Sequence, residues 1–119
     1  MFWNLKEDKK VSNPESINSF LSRGVESIYP SRKFVEEKLK NDEKLTMYLG
    51  IDPTGPTLHL GHAIVLKKLR EFQDLGHKAV LLIGDFTAMI GDPTDKTATR
   101  KKLSKQEVID NAKLYKEQA

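Results

Sequence analysis

The chain has 119 residues, of which 38% are hydrophobic and 31% charged, a balance typical of one soluble globular domain rather than a disordered or fibrous protein. It contains no cysteine, which excludes disulfides, thiol nucleophiles and cysteine-bound zinc. The net charge is +3, and the longest apolar run, residues 79–83, is far shorter than the roughly 20 residues of a membrane helix, so we expect a cytoplasmic protein without membrane contact.

The first third of the chain predicts an arm and two helices. Residues 1–12 are polar and rich in lysine apart from Phe2, Trp3 and Leu5, which indicates a loose arm that can dock through its aromatic side chains. A short amphipathic helix is predicted to begin at the N-cap Asn13 and to end near Gly24. A second is predicted to begin at Ser31 and to end at Asn41.

A strand, a helix and a second strand are predicted next. Residues 45–51 indicate a buried strand that runs into a loop rich in proline and glycine. Residues 60–75 indicate a helix with a broad apolar face that includes Leu60 and Ile64, and residues 79–83 a central strand that is apolar on both faces. Such a unit has a right-handed crossover and parallel strands. We therefore predict an α/β fold with parallel strands and two leading helices.

The end of the chain predicts a further helix behind a basic segment. Ser104 and Glu107 form a capping box, which indicates a helix that is still running at the last residue. Residues 96–105 hold five basic and no acidic side chains. Such a run is most often solvated surface, with phosphate or RNA binding as the alternative. Because two strands cannot bury both faces of a sheet, we expect an amino-terminal fragment of a longer protein.

The loop over residues 52–62 carries the chemistry. It joins the first strand to the helix at the carboxyl edge of the sheet, where ligands of such folds bind. The amino terminus of the helix favours an anion such as phosphate. His59 and His62 are predicted to share one face, Gly61 between them leaves room for a flat ligand, and Thr54 adds a hydroxyl.

Other interpretations of these residues stay open. A pair of surface histidines without a task is common, and Thr54 by itself could cap the loop. Two imidazoles could also share a metal ion, with Asp52, Asp85 and Asp92 as further candidate ligands. The combination of prolines, glycines, threonines and histidines in one strand-to-helix turn is more specific than any of its parts, which favours the phosphate site.

At these residues the chain resembles a known family. Residues 53–62 resemble the HIGH signature of class I aminoacyl-tRNA synthetases. Residues 48–54, Tyr-Leu-Gly-Ile-Asp-Pro-Thr, and residues 84–93, Gly-Asp-Phe-Thr-Ala-Met-Ile-Gly-Asp-Pro, resemble bacterial-type tyrosyl-tRNA synthetases, and the similarity covers about residues 45–119. The Asp-Pro-Thr run and His62 favour the tyrosine enzymes over the related tryptophan enzymes.

The resemblance implies a fold, an activity and partners. The fold is the first half of a Rossmann-like nucleotide-binding domain, occupying residues 13–119. The activity is the activation of L-tyrosine with ATP to tyrosyl-adenylate, followed by transfer to tRNA(Tyr). ATP is a substrate that arrives with Mg²⁺, no metal site on the protein is implied, and the full-length parent is expected to be a homodimer.

The resemblance also implies residue roles. Thr54 and His59 would contact the outer phosphates, His62 the ribose and adenine side, and Lys96 and Arg100 the leaving pyrophosphate. Tyr48 would hydrogen-bond the substrate phenol, and Asp92 would accept from its ammonium group. The implied ATP-binding set is Gly50, Asp52, Pro53, Thr54, His59, Gly61 and His62. Leu49 and Val65 depart from the family pattern at two positions near the ribose.

Two other functions stay open beside this one. A small nucleotidyltransferase uses a similar His-x-Gly-His turn and can be complete at this length. A non-catalytic module that binds nucleotide or RNA would also fit the short chain and its basic segment. For the synthetase, we expect that the fragment alone does not aminoacylate tRNA.

Overall fold

The computed structural model describes residues 2–4, 13–41, 43–90 and 102–119. These residues form three strands and five helices in one α/β arrangement. In chain order they are β1 (Phe2–Asn4), α1 (Pro14–Phe20), α2 (Arg32–Lys40), β2 (Thr46–Ile51), α3 (Leu60–Asp74), β3 (Lys78–Ile83), α4 (Phe86–Ile90) and α5 (Lys105–Gln118). Among these residues, no helix is long and apolar enough to cross a bilayer.

The sheet has the strand order β1-β3-β2. β2 and β3 are parallel, with Thr46 opposite Lys78 and Ile51 opposite Ile83, and α3 makes the crossover between them. The predicted strand–helix–strand unit and the α/β fold class are therefore confirmed, and this arrangement is that of the first half of a Rossmann-like fold.

β1 corrects the prediction of a loose arm. Phe2–Asn4 pairs antiparallel with β3, Phe2 opposite Leu82, so the sheet is mixed and not purely parallel. A strand edge presents unpaired N–H and C=O groups, and a short segment that satisfies them becomes a strand whatever its own propensity. The rest of the predicted arm lies outside the described residues.

The burial of the strands also differs from the prediction. β2 was expected to be buried, but its side chains alternate between exposed and inward positions, and Tyr48 is 74% exposed. In β3, Ala79, Leu81 and Ile83 are buried, whereas the alternate residues are only partly so. The reason is that in the described part of the chain the apolar clusters form against one face of the sheet.

Two apolar clusters make up that core. The first joins α1, α2 and the end of α3, and consists of Ile17, Phe20, Leu21, Leu39, Phe72 and Leu75. The second joins the sheet to α5, and consists of Ile51, Leu81, Ile83, Ala112 and Tyr115. The helices are thereby fixed on the sheet, and α5 is brought to the carboxyl ends of β2 and β3.

The predicted helix boundaries follow their caps. Asn13 caps α1 by accepting a hydrogen bond from Ser16 N at 2.8 Å, and Ser31 and Ser104 cap α2 and α5. α1 ends at Phe20, earlier than predicted, and Gly24 adopts its positive φ of 65° in the turn that follows.

The apolar face of α3 is buried only in part. Leu69 and Phe72 are buried, but Leu60 and Ile64 are 78% and 61% exposed. The prediction that these two residues belong to the core face is wrong, because the first turns of α3 lie beside the candidate site and no described element packs over these two side chains.

Candidate functional site

The loops that follow β2 and β3 meet at one edge of the sheet. Gly84 N donates to Ile51 O at 2.9 Å, and Thr87 Oγ1 donates to Asp52 Oδ1 at 2.6 Å. A Cβ atom on Gly84 would collide with both Asp52 Oδ1 and Thr87 Oγ1. Glycine at position 84 leaves the space in which the Asp52–Thr87 hydrogen bond joins the two loops, so the loop that leads into α3 is attached to the loop after β3.

The two histidines cap the amino terminus of α3. His59 is the N-cap, and its Nδ1 accepts a hydrogen bond from Gly61 N at 3.1 Å. His62 Nδ1 accepts from His59 N at 3.1 Å, which completes a capping box, and the ring centroids are 3.9 Å apart. In a neutral imidazole whose Nδ1 accepts, the proton is on Nε2. Both rings therefore keep an Nε2–H donor for another partner.

This geometry changes the explanation of the anion site. The sequence predicts that backbone N–H groups at the start of α3 are free for an anion, but those of His59 and Gly61 are occupied by the imidazoles. The donors that this pair offers are the imidazole Nε2–H groups. A Cβ on Gly61 would lie 2.9 Å from His59 Cε1, so glycine at this position lets the imidazole lie over the backbone, and any other residue would make the ring shift.

The environment keeps His62 neutral. Burial, followed by the neighbouring His59, lowers the pKa of His62 from its ordinary value of 6.5. The edge of the Tyr115 ring system also lies against it, with the centroids 5.7 Å apart. His59 is exposed and faces solvent beside it. A donor that carries no charge of its own is thus available at neutral pH.

Side chains of α5 contact the loop before the histidine pair. Asn111 Nδ2 donates to Pro53 O at 3.0 Å, and Gln118 Oε1 accepts from Leu58 N at 3.0 Å. Burial raises the pKa of the Tyr115 hydroxyl, and a hydrogen bond with the Gly55 backbone partly offsets this.

The sequence does not predict that these α5 residues belong to the site, because their partners are about 60 positions away in the chain. The one available signal was that Asn111, Tyr115 and Gln118 share a helix face.

A cavity of about 440 Å³ lies between β2 and α3. Tyr48, Leu49 and Val65 all line it, together with the basic side chains of Lys67 and Lys68. The residue predicted to bind a phenol and the two residues that depart from the family pattern are thus neighbours in one space.

The remaining predicted residues divide into three groups. Gly50, Asp52 and Thr54 are exposed at the carboxyl edge, whereas Pro53 is buried beneath it. Asp85 accepts a hydrogen bond from Phe86 N at 2.7 Å, so its carboxylate has a structural role at the start of α4. The predictions for three residues fall outside the described residues, namely Asp92, Lys96 and Arg100.

A shared metal ion was the alternative interpretation of the histidine pair. Within the described ranges, no group of three or more His, Asp or Glu side chains is arranged to hold a metal ion.

The chain is similar in sequence to one family of known proteins. The family model described as class I tRNA synthetases (W and Y) matches residues 40–119. A protein named tyrosine-tRNA ligase from Prochlorococcus marinus is 54% identical over 88% of the chain, and the match covers 27% of that protein. The protein of the same name from Thermotoga maritima is 53% identical over 89% of the chain, and the match covers 26% of that protein. Tyrosine-tRNA ligase 2 of Clostridium acetobutylicum is 50% identical over 91% of the chain. The chain spans about a quarter of the length of these relatives.

Proposed function

Because the chain belongs to the class I tRNA synthetases of the tryptophan and tyrosine group, we propose that it forms the ATP-binding and tyrosine-binding part of a tyrosine-tRNA ligase. The reaction consumes L-tyrosine, Mg²⁺-ATP and tRNA(Tyr). The tyrosine carboxylate attacks the α-phosphate of ATP, pyrophosphate leaves, and the tyrosyl group then passes to the terminal ribose of the tRNA. The ligase acts in the cytoplasm as a homodimer.

The observation that carries this proposal is the mutual capping of His59 and His62. Each ring is held through Nδ1, so its orientation and its proton position are set before a substrate arrives. Donors that are fixed in advance need no reorganisation when charge develops on the phosphates. The pair therefore stabilises the transition state of a phosphoryl centre rather than the ground state of the bound nucleotide.

The other residues take, in this proposal, the roles that the resemblance to the family implies. Thr54 and His59 donate to the outer phosphates, and His62 lies on the side of the ribose and the adenine. The backbone at Gly50, Asp52, Pro53 and Gly61 lines the adenylate.

Tyrosine and pyrophosphate are held by further side chains in this proposal. Tyr48 hydrogen-bonds the substrate phenol, Asp92 accepts from the ammonium group, and Lys96 and Arg100 neutralise the pyrophosphate as it leaves. The cavity beside Tyr48 supports the first of these roles.

A chimeric enzyme tests the proposal. The matching segment of the Thermotoga maritima ligase, which is 53% identical over 106 residues, is replaced by this chain, and tyrosine-dependent exchange between ATP and pyrophosphate is measured. We expect exchange with tyrosine, and charging of tRNA(Tyr). Tryptophan and phenylalanine serve as control substrates. A folded chimera that has no exchange activity, or that prefers tryptophan, would contradict the proposal.

The relatives favour this function over a small nucleotidyltransferase or an RNA-binding module. The same chimera separates the ligase from both alternatives, because a nucleotidyltransferase transfers the nucleotidyl group to an acceptor of its own and would give no tyrosine-dependent exchange. A binding module would support no exchange at all.

A further inference from the structure

Three polar side chains of α5 lie against one loop. Asn111, Tyr115 and Gln118 are spaced at i, i+4 and i+7, so they share one face of the helix. That face contacts residues 53–58, the segment that leads into the N-cap His59.

Gln118 makes the most extensive contact. Its Oε1 accepts from Leu58 N at 3.0 Å, and its Nε2 donates to Pro56 O at 3.1 Å. The same Nε2 also donates to Leu114 O at 3.0 Å, which ties the amide to its own helix. A single side chain therefore sets the spacing of two backbone positions in the loop.

Asn111 and Tyr115 extend this contact along the loop. Asn111 Nδ2 donates to Pro53 O at 3.0 Å, and the buried Tyr115 hydroxyl hydrogen-bonds with the Gly55 backbone. The three side chains thus reach the backbone at residues 53, 55, 56 and 58.

The loop depends on these partners because it forms little regular structure. Thr54 N donates to Asp52 O in a tight turn, but the backbone groups of Pro53, Pro56 and Leu58 are satisfied by α5. Pro53 is buried and its carbonyl needs a partner, whereas the hydrogen bonds at Pro56 and Leu58 are exposed and favour one conformation of the loop over others.

We propose that Asn111, Tyr115 and Gln118 are positioning residues, which hold residues 53–58 so that Thr54 and the imidazoles of His59 and His62 face one ligand. The inference rests on the proposed function for one point, that this ligand is ATP. These side chains act through the loop and do not themselves touch the nucleotide.

The test uses Gln118→Met in the 119-residue chain, a change that keeps the side-chain length and removes both contacts to the loop. Gln106→Met is the matched control, since Gln106 is on the same helix and its amide donates to Asp110 instead. Calorimetry measures the affinity for ATP, with adenosine as a probe that lacks the phosphates, and thermal unfolding measures stability.

We expect Gln118→Met to weaken ATP binding about tenfold, the factor for two exposed hydrogen bonds at the weaker end of the ordinary range, while Gln106→Met changes it by less than about twofold. The two variants are expected to unfold at similar temperatures, and adenosine affinity to change less than ATP affinity. An unchanged ATP affinity in Gln118→Met, or an equal loss in Gln106→Met, would overturn the proposal.

A second measurement does not depend on ATP. The imidazole ¹⁵N shifts of His59 and His62 in the free chain report which ring nitrogen carries the proton. A contact that only adds stability would leave these shifts unchanged, whereas a positioning contact is expected to alter them in Gln118→Met and not in Gln106→Met. If the 119-residue chain binds no ATP by itself, the chimera still tests the proposed function, and these shifts alone decide the positioning role: altered shifts support it and unaltered shifts overturn it.

Discussion

Histidine is an unusual N-cap, and at position 59 the ring accepts from Gly61 N as an asparagine or serine side chain would. The second ring, His62, occupies the position at which glutamate or glutamine completes a capping box. The two residues therefore serve the helix and the candidate site at once. Substitutions that keep the cap and remove the outer nitrogen can separate these tasks.

His59→Asn makes that separation at the N-cap. The asparagine oxygen can accept from Gly61 N, so the free energy of unfolding is expected to change by less than about 0.5 kcal/mol. In the chimeric ligase, loss of the Nε2–H donor is expected to lower kcat for tyrosine activation by about 10²–10³-fold with little change in the KM for ATP. Steady-state exchange kinetics measure both constants.

Ser104→Asn, the same kind of cap exchange on α5, is the control for this variant and is expected to leave kcat unchanged. If the loss in His59→Asn were wholly in KM, the transition-state role of His59 would be wrong.

His62 makes stability depend on pH in a defined direction. Its pKa is lowered in the fold, chiefly by burial, so the unfolded chain binds the proton more readily. The contribution of neutral His62 to the free energy of unfolding is fully present above the ordinary pKa of 6.5. It is lost as the pH falls from there through the lowered pKa of the folded state.

His62→Gln is expected to reduce this dependence, because glutamine keeps the capping box and does not titrate. Thermal unfolding of both proteins between about pH 7.5 and about pH 5 measures the difference. An NMR titration in which His62 has a pKa above 6.5 would contradict the assignment.

At the scale of elements, the site is a junction of two loops and a helix. The Asp52–Thr87 hydrogen bond joins the loops after β2 and β3, and α5 holds the first of these loops from the other side. The parallel pairing of β2 and β3 is what brings these loops together, since the carboxyl ends of parallel strands meet at one edge. The precision of the site thus depends on contacts between elements that are far apart in sequence.

Gly84→Ala is expected to break that junction. The new Cβ collides with Asp52 Oδ1 and Thr87 Oγ1, so these two side-chain ends must move apart, and the loss of their hydrogen bond costs about 0.5–1.5 kcal/mol. Urea unfolding of the 119-residue chain measures this cost. Gly55→Ala is the matched control in the neighbouring loop, because a Cβ there meets no atom within 4 Å. Equal stability of the two variants would show that the loops do not need the close approach at Gly84.

At the scale of the whole molecule, the apolar clusters lie on one face of the sheet, and exposed apolar side chains lie around the candidate site. Leu60 and Ile64 on α3 and Tyr48 on β2 are the clearest examples in the described part of the chain. One helix can therefore contain residues that stabilise the fold and residues that contribute little to it.

Substitutions along α3 are expected to show this contrast. Leu69→Ala removes a side chain that is 2% exposed and is expected to cost about 2–5 kcal/mol, whereas Ile64→Ala, at 61% exposure, is expected to cost less than about 0.5 kcal/mol. Denaturant unfolding of both variants gives the two values. A large loss of stability from Ile64→Ala would show that this side chain is covered in solution.

The sequence by itself determined the helix starts at Asn13, Ser31 and Ser104, because a cap is a hydrogen bond between residues three positions apart. It also determined the strand–helix–strand unit and the loop that carries His59 and His62, through apolar periodicity and turn residues.

Only the tertiary structure decided that Phe2–Asn4 forms a strand, that one face of β2 is exposed, and that Gln118 holds the loop before His59. Each of these depends on which surface a distant segment covers. Because hydrogen bonds and burial between distant segments leave no periodic signal in either one, they become visible only when the chain is folded.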